Sequence, residues 1–478
     1  MKEFRPLAIT VVLGLALSAW SIAEDDQAER PNIVFFYADD LGYGDLACYG
    51  SDVAQTPRLD SLAREGTRFT QFYVSHCVCS PTRASAITGQ FPGRHRIYGH
   101  IAFFEQNRRR KMPDWLDVAA PSLPRALQQA GFRTAMIGKW HLGGGSGRTF
   151  TREDLREPGQ NRSRKSHKIV INHPDAPPVA QYGFDHVRTT FGNSPTWKDA
   201  KPWPEPHETY PYASKEWSTW SSRAIADETI GFLKDHVAST SDQPFYANVW
   251  FKDVHVILRP TDEMRKPFRH LEEKPQVHYA MVRYMDEQIG RVLDTLDELG
   301  LSKNTLVLFS SDNGAGKGRG GSCGSLRGWK HTLYEGGIRV PFIVRWPGQV
   351  PAGRVDEKSV LNICDLIPTF CRLTGARMPD GYRSDGEDVT KAFRGDPFER
   401  SKPQFWHYPT TSPSLAARIG DWKLLTNPDG QLEELYNLAD DISESTNLAG
   451  DRSAIVKSLK DPLLTWYAEL PISRESRE

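Results

Sequence analysis

The chain has 478 residues, more than one compact core usually takes, which suits one large α/β unit with a smaller appendage. Charged residues make up 25% and hydrophobic residues 38%, an ordinary globular composition. Lys+Arg and Asp+Glu balance at 60 each, which argues against a nucleic-acid binder that works by phosphate neutralisation and leaves room for a local basic pocket.

The N-terminus reads as an export signal. Lys2 and Arg5 precede an apolar run from Leu7 to Trp20 that is short for a membrane span. Ser21 and Ala23 put small residues before a cleavage point at Glu24, so residues 1–23 are predicted to be a signal peptide. An uncleaved anchor is the alternative. No cysteine follows the apolar run, which argues against a lipoprotein. No later segment is long and apolar enough to span a bilayer. The mature protein is expected to be periplasmic or secreted, near neutral, and without stable membrane association.

Asn32 to Ala38 (NIVFFYA) predicts a buried parallel strand ending at Asp39-Asp40. Ser122 to Ala130 predicts a helix and Thr134 to Gly138 a strand. Ala224 to His236 predicts a helix, then Phe245 to Phe251 a strand. Val277 to Leu299 carries Met281, Met285, Ile289, Val292 and Leu296 at helical spacing, and Gly300 stops it. Thr305 to Ser310 predicts another strand, followed by Asp312-Asn313-Gly314. Alternating strands and helices imply βαβ units around a mostly parallel sheet, whose ligands sit beyond the carboxyl ends of the strands. Gly144 to Pro178 and Pro202 to Ser222 are long and irregular, and loops of that length are usually functional or disordered. Ala417 to Leu425 and Glu433 to Leu438 predict short strands of a separate antiparallel unit, and Ala454 to Ala468 a last helix.

Six cysteines are present: Cys48, Cys77, Cys79, Cys323, Cys364 and Cys371. In an exported protein most would be expected to pair, although six are too few for a disulfide scaffold of this size.

Cys79-Ser80-Pro81-Thr82-Arg83 places a cysteine at a helix start, with Pro81 in the first turn and Arg83 one turn on. A helix N-terminus seats an anion, and a plain thiolate there would be activated. An isolated Cys-x-Pro would be read as structural. Here the whole string CSPTRASAITG resembles the signature of the sulfatase family, in which Cys-x-Pro-x-Arg followed by Thr-Gly marks the cysteine for oxidation to formylglycine. Cys77 lacks the Pro and Arg at the required offsets. Asp39-Asp40 in DDLGYG and Asp312-Asn313 in SDNG each end an apolar strand. An aspartate pair alone is weak evidence, but convergent oxygens suit a hard cation. Both strings resemble the family's metal motifs, which implies a Ca²⁺ site, with Mg²⁺ the lesser choice, formed by Asp39, Asp40, Asp312, Asn313 and modified Cys79.

Gly138-Lys139-Trp140-His141-Leu142-Gly143 follows a predicted strand, and alternation lets Lys139 and His141 point the same way. GKWHLG is similar to the family motif whose Lys and His contact the nucleophile and the sulfate. His255 aligns with a family histidine near the leaving oxygen, although the family's neighbouring Pro is absent from Asp253-Val254-His255-Val256. Lys330, within LRGWKHTLYEGGIRVP, matches the sulfate-binding lysine. The resemblance runs from Pro31 to Asn447 and includes Glu434-Leu435-Tyr436-Asn437-Leu438. It implies an alkaline-phosphatase-like fold: a large mixed sheet flanked by helices over residues 24–395, and a small antiparallel α+β subdomain over 396–478.

By the same resemblance, hydrated formylglycine attacks sulfur, His255 with Lys330 protonates the leaving alcohol, His141 takes the proton that lets sulfate leave, and Arg83 belongs to the catalytic set. The implied partners are a sulfated carbohydrate or another sulfate ester, and a maturation enzyme that oxidises Cys79. Trp197, Trp203, Tyr210, Tyr212, Trp217 and Trp220 either stack on sugar rings or pack their own loop. Arg108, Arg109, Arg110 and Lys111 form a basic run that is either a solvated face or a polyanion contact. Asp253-Val254-His255 and Cys323-Gly324 are similar to N-acetylgalactosamine-6-sulfatase-like members. Rival readings are a phosphonate or phosphodiester hydrolase of the same superfamily, a non-catalytic glycan-binding relative, and a thiol enzyme using unmodified Cys79.

Overall fold

The structure is a computed structural model that describes residues 30–102, 104–143, 176–190, 215–239 and 242–471. Its centre is β1 (Asn32–Ala38), buried at every position. Ile33, Phe35 and Tyr37 face one core, while Val34, Phe36 and Ala38 face the other. An unbroken apolar run is what a strand covered on both faces requires. Around it lie β2 (Thr67–Tyr73), β3 (Arg133–Lys139), β4 (His186–Thr190), β5 (Phe245–Trp250), β6 (Thr305–Ser311), β7 (Arg339–Arg345), β8 (Arg354–Asp356) and β9 (Leu361–Asn362). The order is β4-β3-β5-β1-β6-β7-β2-β8, with β9 also on β2. β4, β3, β5, β1 and β6 are parallel, whereas β7 runs antiparallel to both β6 and β2. The sheet is therefore mixed.

Helices Pro57–Arg64, Lys215–Ser239 and Glu273–Glu298 cover one face. The helical periodicity read from sequence is realised there, since Met281, Met285, Ile289, Val292 and Leu296 are all fully buried. Helices Cys79–Thr88, Leu123–Gln129 and Leu366–Thr374 cover the other face. A second, antiparallel sheet joins β10 (Gln404–His407), β11 (Leu415–Ile419), β12 (Trp422–Thr426) and β13 (Glu433–Asn437) in sequence order. Helix Ser453–Glu469 packs on β11 and β12 through Leu459, Leu463 and Trp466.

Three expectations change. Ala417 to Leu425 is not one strand but a hairpin, β11 and β12, turned at Gly420 with φ 54°. The irregular stretch Pro202 to Ser222 is helical from Lys215 onward. There Trp217 is fully buried and Trp220 packs its ring edge on Tyr284 at 5.7 Å, so these two rings serve packing, not sugar stacking. Trp197, Trp203, Tyr210 and Tyr212 lie outside the described residues, as do residues 144–175 and the predicted signal peptide. Finally, all six cysteines are free thiols, so the expected pairing does not occur. Among the described residues no helix is long and apolar enough to cross a membrane.

Candidate active site

β3, β5, β1 and β6 are adjacent and parallel, so their carboxyl ends open side by side. At or just beyond them stand, in turn, Lys139 and His141, Asp253 and His255, Asp39 and Asp40, and Asp312 and Asn313. Backbone bonds lock these ends together. Asp39 N–H donates to the Asp253 carbonyl at 3.0 Å, and Val254 N–H donates back to Asp39 at 2.8 Å. Asp40 N–H donates to Asp312 Oδ1 at 3.2 Å. Asp40 and His141 hold φ of 61° and 54°, a region in which side chains crowd the backbone and which clusters at functional sites.

Cys79 begins the helix that follows β2 and is 2% exposed. A ligand atom from each of Asp39, Cys79 and Asp312 lies within 4.8 Å of the others, and the same holds for Asp39, Asp40 and His255. Lys139 Nζ bonds Asp39 Oδ2, and Lys330 Nζ bonds Asp40 Oδ1, which also accepts Asn313 Nδ2 at 2.8 Å. His255 Nε2 stands 3.7 Å from Asp40 Oδ2. Arg83 is fully buried. It donates through Nε to Asp312 Oδ2 at 2.9 Å and through Nη1 to the Lys139 carbonyl at 2.6 Å, and lies over the Tyr37 and Trp250 rings. The ten residues singled out from sequence thus meet in one pocket, with Arg83 behind the acids and away from solvent.

Charge in this pocket is unevenly held. Burial pushes the Asp39 carboxyl up, but Lys139, His255 and Arg83 outweigh it and hold the group well below the usual range. Asp40 is lowered too, burial being outweighed by Lys330 and His255. Asp312 is pushed up to about 7 by burial and by Asp39, against Arg83. Burial opposes the Lys330 charge, yet Asp40 raises it. Burial lowers His255 to about 4, and burial with Lys139 takes His141 well below the ordinary value. Burial also raises the Cys79 thiol, against the pull of Lys139 and Lys330. An activated thiolate, as expected of a bare helix N-terminus, is therefore not what this site holds.

The donor set fits a hard divalent cation. Asp39 Oδ1 and Asn313 Oδ1 are buried with no hydrogen-bond partner among the described residues, as oxygens reserved for a cation would be.

Two contributors were not assigned from sequence. Lys252 lies two residues past the end of β5; its Nζ lies 3.2 Å from Asp253 Oδ1 and donates to the Ile257 carbonyl at 3.2 Å, bracing the loop that carries His255. The only hint was its place at the end of a strand. His100 is brought in by its neighbour, Ile101, whose N–H donates to Ser80 Oγ at 3.0 Å beside Cys79. Nothing local marks it.

A mixed, helix-flanked sheet with metal-type acids and a buried cysteine at adjoining strand ends defines a hydrolase of alkaline-phosphatase-like fold. The sulfatase family model matches residues 31–376, and a model of the N-sulphoglucosamine sulphohydrolase C-terminal region matches 327–468. The chain belongs to the sulfatase family and is a sulfuric ester hydrolase. It is 30% identical to N-acetylgalactosamine-6-sulfatase of Canis lupus familiaris, over 86% of this chain and 74% of that protein. It is 32% identical to steryl-sulfatase of Mus musculus, over 85% of this chain and 73% of that one. Among solved structures, Ps i-CgsB in complex with k-i-k-neocarrahexaose superposes with a TM-score of 0.73 at 25% identity, covering 91% of this chain and 92% of that one.

Proposed function

We propose that this chain is an exported, Ca²⁺-dependent sulfatase that removes sulfate from a sulfated carbohydrate, with residue 79 as nucleophile. The observation that carries this reading is the meeting of Cys79, Asp39 and Asp312 within 4.8 Å, flanked by Lys139 and Lys330. Carbohydrate is favoured over steroid because N-acetylgalactosamine-6-sulfatase and the hexaose-bound structure stand among the relatives. Residues 24–395 are assigned to catalysis and 396–478 to a supporting subdomain.

Cys79, oxidised to formylglycine by a maturation enzyme and hydrated, would supply the nucleophilic hydroxyl; Asp39, Asp40, Asp312, Asn313 and residue 79 would hold Ca²⁺, which would supply Lewis acidity when bound. Lys139 and Lys330 neutralise the sulfate and the charge that grows on it. Arg83 does not touch substrate; it fixes the Asp312 carboxylate and the Lys139 backbone. His141, kept neutral, accepts a proton at its ring nitrogen. With His255 also neutral, Lys330 is the charged donor beside the leaving oxygen, and His255 positions that oxygen.

The competing reading within the fold is a phosphodiester or phosphonate hydrolase. Matured protein with Ca²⁺ is expected to cleave p-nitrophenyl sulfate about 100-fold or more faster, by kcat/KM, than an aryl phosphate diester. Equal rates, or the reverse order, would replace the sulfatase reading with the rival.

A further inference from the structure

The basic run Arg108-Arg109-Arg110-Lys111 divides in the fold. Arg108 and Arg109 end helix Phe104–Arg109 and point to solvent. Arg110 is half-buried and turns inward, donating through Nη1 to the His100 carbonyl at 3.1 Å. Its guanidinium lies along Gly99, where an added Cβ would stand 3.8 Å from Nη1. Tyr98 OH clamps the Arg110 carbonyl. This loop is pinned to the start of the Cys79 helix through Ile101 N–H and Ser80 Oγ. His100, Ile101 and Arg110 thereby form one wall of the pocket mouth.

The facing wall is His331 and Tyr408. His331 N–H donates to the Cys77 carbonyl at 3.1 Å, and its Nδ1 lies 2.9 Å from Tyr408 OH. His331 directly follows Lys330, so this wall is continuous with the sulfate pocket. The charges agree with the geometry. Burial lowers the His100 ring to about 3, and the neighbouring Arg110, Lys330, His331 and Lys139 add to that effect, so these groups share one neighbourhood.

This rim lacks a countercharge. Among the described residues no carboxylate pairs with Arg110, and the half-buried His100 ring has no hydrogen-bond partner. Every other cation around the pocket (Arg83, Lys139, Lys252, Lys330) has its own aspartate. A guanidinium partly withdrawn from water and left without an acid is a ready partner for an oxyanion.

We propose that Arg110 and His100 form a specificity subsite for a second anionic group, a carboxylate or a further sulfate, on the sugar that bears the scissile sulfate or on its neighbour. The inference rests on the sulfatase reading and deepens it: the substrate is a polyanionic saccharide, not a neutral glycan with one sulfate.

The test uses matured protein with Ca²⁺ and sulfated uronate–hexosamine disaccharides. One is monosulfated with a free uronate, the second is its uronate methyl ester, and the third is the disulfated methyl ester. Against the monosulfated methyl ester, one or both dianions are expected to show kcat/KM at least about tenfold higher, with the preference shrinking as salt rises. The first comparison reports a carboxylate and the second a sulfate. Arg110→Gln is expected to reduce the preference ratio to within about twofold of unity, and Arg110→Lys to retain part of it. Equal rates on all three saccharides by the wild-type protein would overturn the subsite whatever the variants do, as would an Arg110→Gln ratio unchanged from wild type. p-Nitrophenyl sulfate separates the two claims. Its hydrolysis without any dianion preference removes only the subsite, whereas no sulfate release from it or from any saccharide removes the sulfatase reading itself.

Discussion

Cys79 sits where a helix N-terminus and two lysines favour an anion, yet burial wins and the thiol is raised. A thiol held protonated is a poor nucleophile, so the pocket suits a residue changed chemically into a hydroxyl donor. Cys79→Ala is expected to lower kcat/KM on an aryl sulfate by about 10³-fold or more while far-UV circular dichroism and Tm stay at wild-type values. Full activity of that variant would defeat the proposed nucleophile. In the mature protein the tryptic peptide carrying residue 79 should be lighter than its unmodified form by about 18 Da, from the loss of H₂S and gain of oxygen. His141 yields a pH prediction. A base works only while neutral, that is, above its pKa, and burial with Lys139 takes this ring well below the ordinary histidine value of 6.5. The acidic limb of kcat/KM therefore belongs well below pH 6.5. A limb at or above that value would disqualify His141 as the base.

The helix Cys79–Thr88 explains the rest of its own motif. All ten residues are buried, so it carries no polar stripe. Its hydroxyls are satisfied locally: Thr82 donates to the His76 carbonyl at 2.9 Å and Thr88 to Ala84 at 2.8 Å. Gly89 ends it at φ 64°, returning its N–H to Ser85 at 2.8 Å. A Cβ at Gly89 would meet Tyr382 OH at 2.2 Å and Ile367 Cγ1 at 2.6 Å. Gly89→Ala is expected to destabilise the fold by about 1–3 kcal/mol, read from the denaturant midpoint. An unchanged midpoint would mean that the Thr-Gly end of the motif serves something other than this turn.

Across the whole molecule, the small sheet is joined to the large one by buried charge. Lys423 on β12 lies 2.8 Å from both Glu335 and Glu444, with all three side chains fully enclosed. Arg339 of β7 is 3.3 Å from Glu335, and Trp406 of β10 donates to the Val74 carbonyl at 2.7 Å. Burial raises both carboxyls, but Lys423, Arg339 and Arg418 outweigh it at Glu335, which falls to about 2, whereas Glu444 is left at about 7. Because Glu335 lies five positions beyond Lys330, this knot also steadies the loop that brings Lys330 to the pocket. Lys423→Met removes the shared cation and is expected to cost about 3–5 kcal/mol of stability, measured by chemical denaturation. A loss below about 1 kcal/mol would show that the two sheets dock by apolar contact alone.

Four parallel strands of the large sheet, β1, β3, β5 and β6, were legible in the chain, β1, β5 and β6 because they are buried on both faces and so must be apolar throughout, whereas the polar edge strand β4 (HVRTT) was not; Glu273–Glu298 was legible because one face of a helix repeats. β2 (TRFTQFY) and β7 (RVPFIVR) were not, since their polar residues and Pro341 become strand only through pairing with distant partners. Cys79, Asp39, Asp40, Asp312, Asn313, Lys139, His141 and Lys330 stand in strings whose order along the chain already specified a sulfatase. Tertiary structure alone decided that Arg83 lies behind the acids, that burial outweighs the helix N-terminus at Cys79, and that Arg110 turns toward the pocket while Arg108 and Arg109 face solvent. Local order reveals which groups are present; their charge state and the surface they face depend on neighbours that only folding brings within a few ångströms.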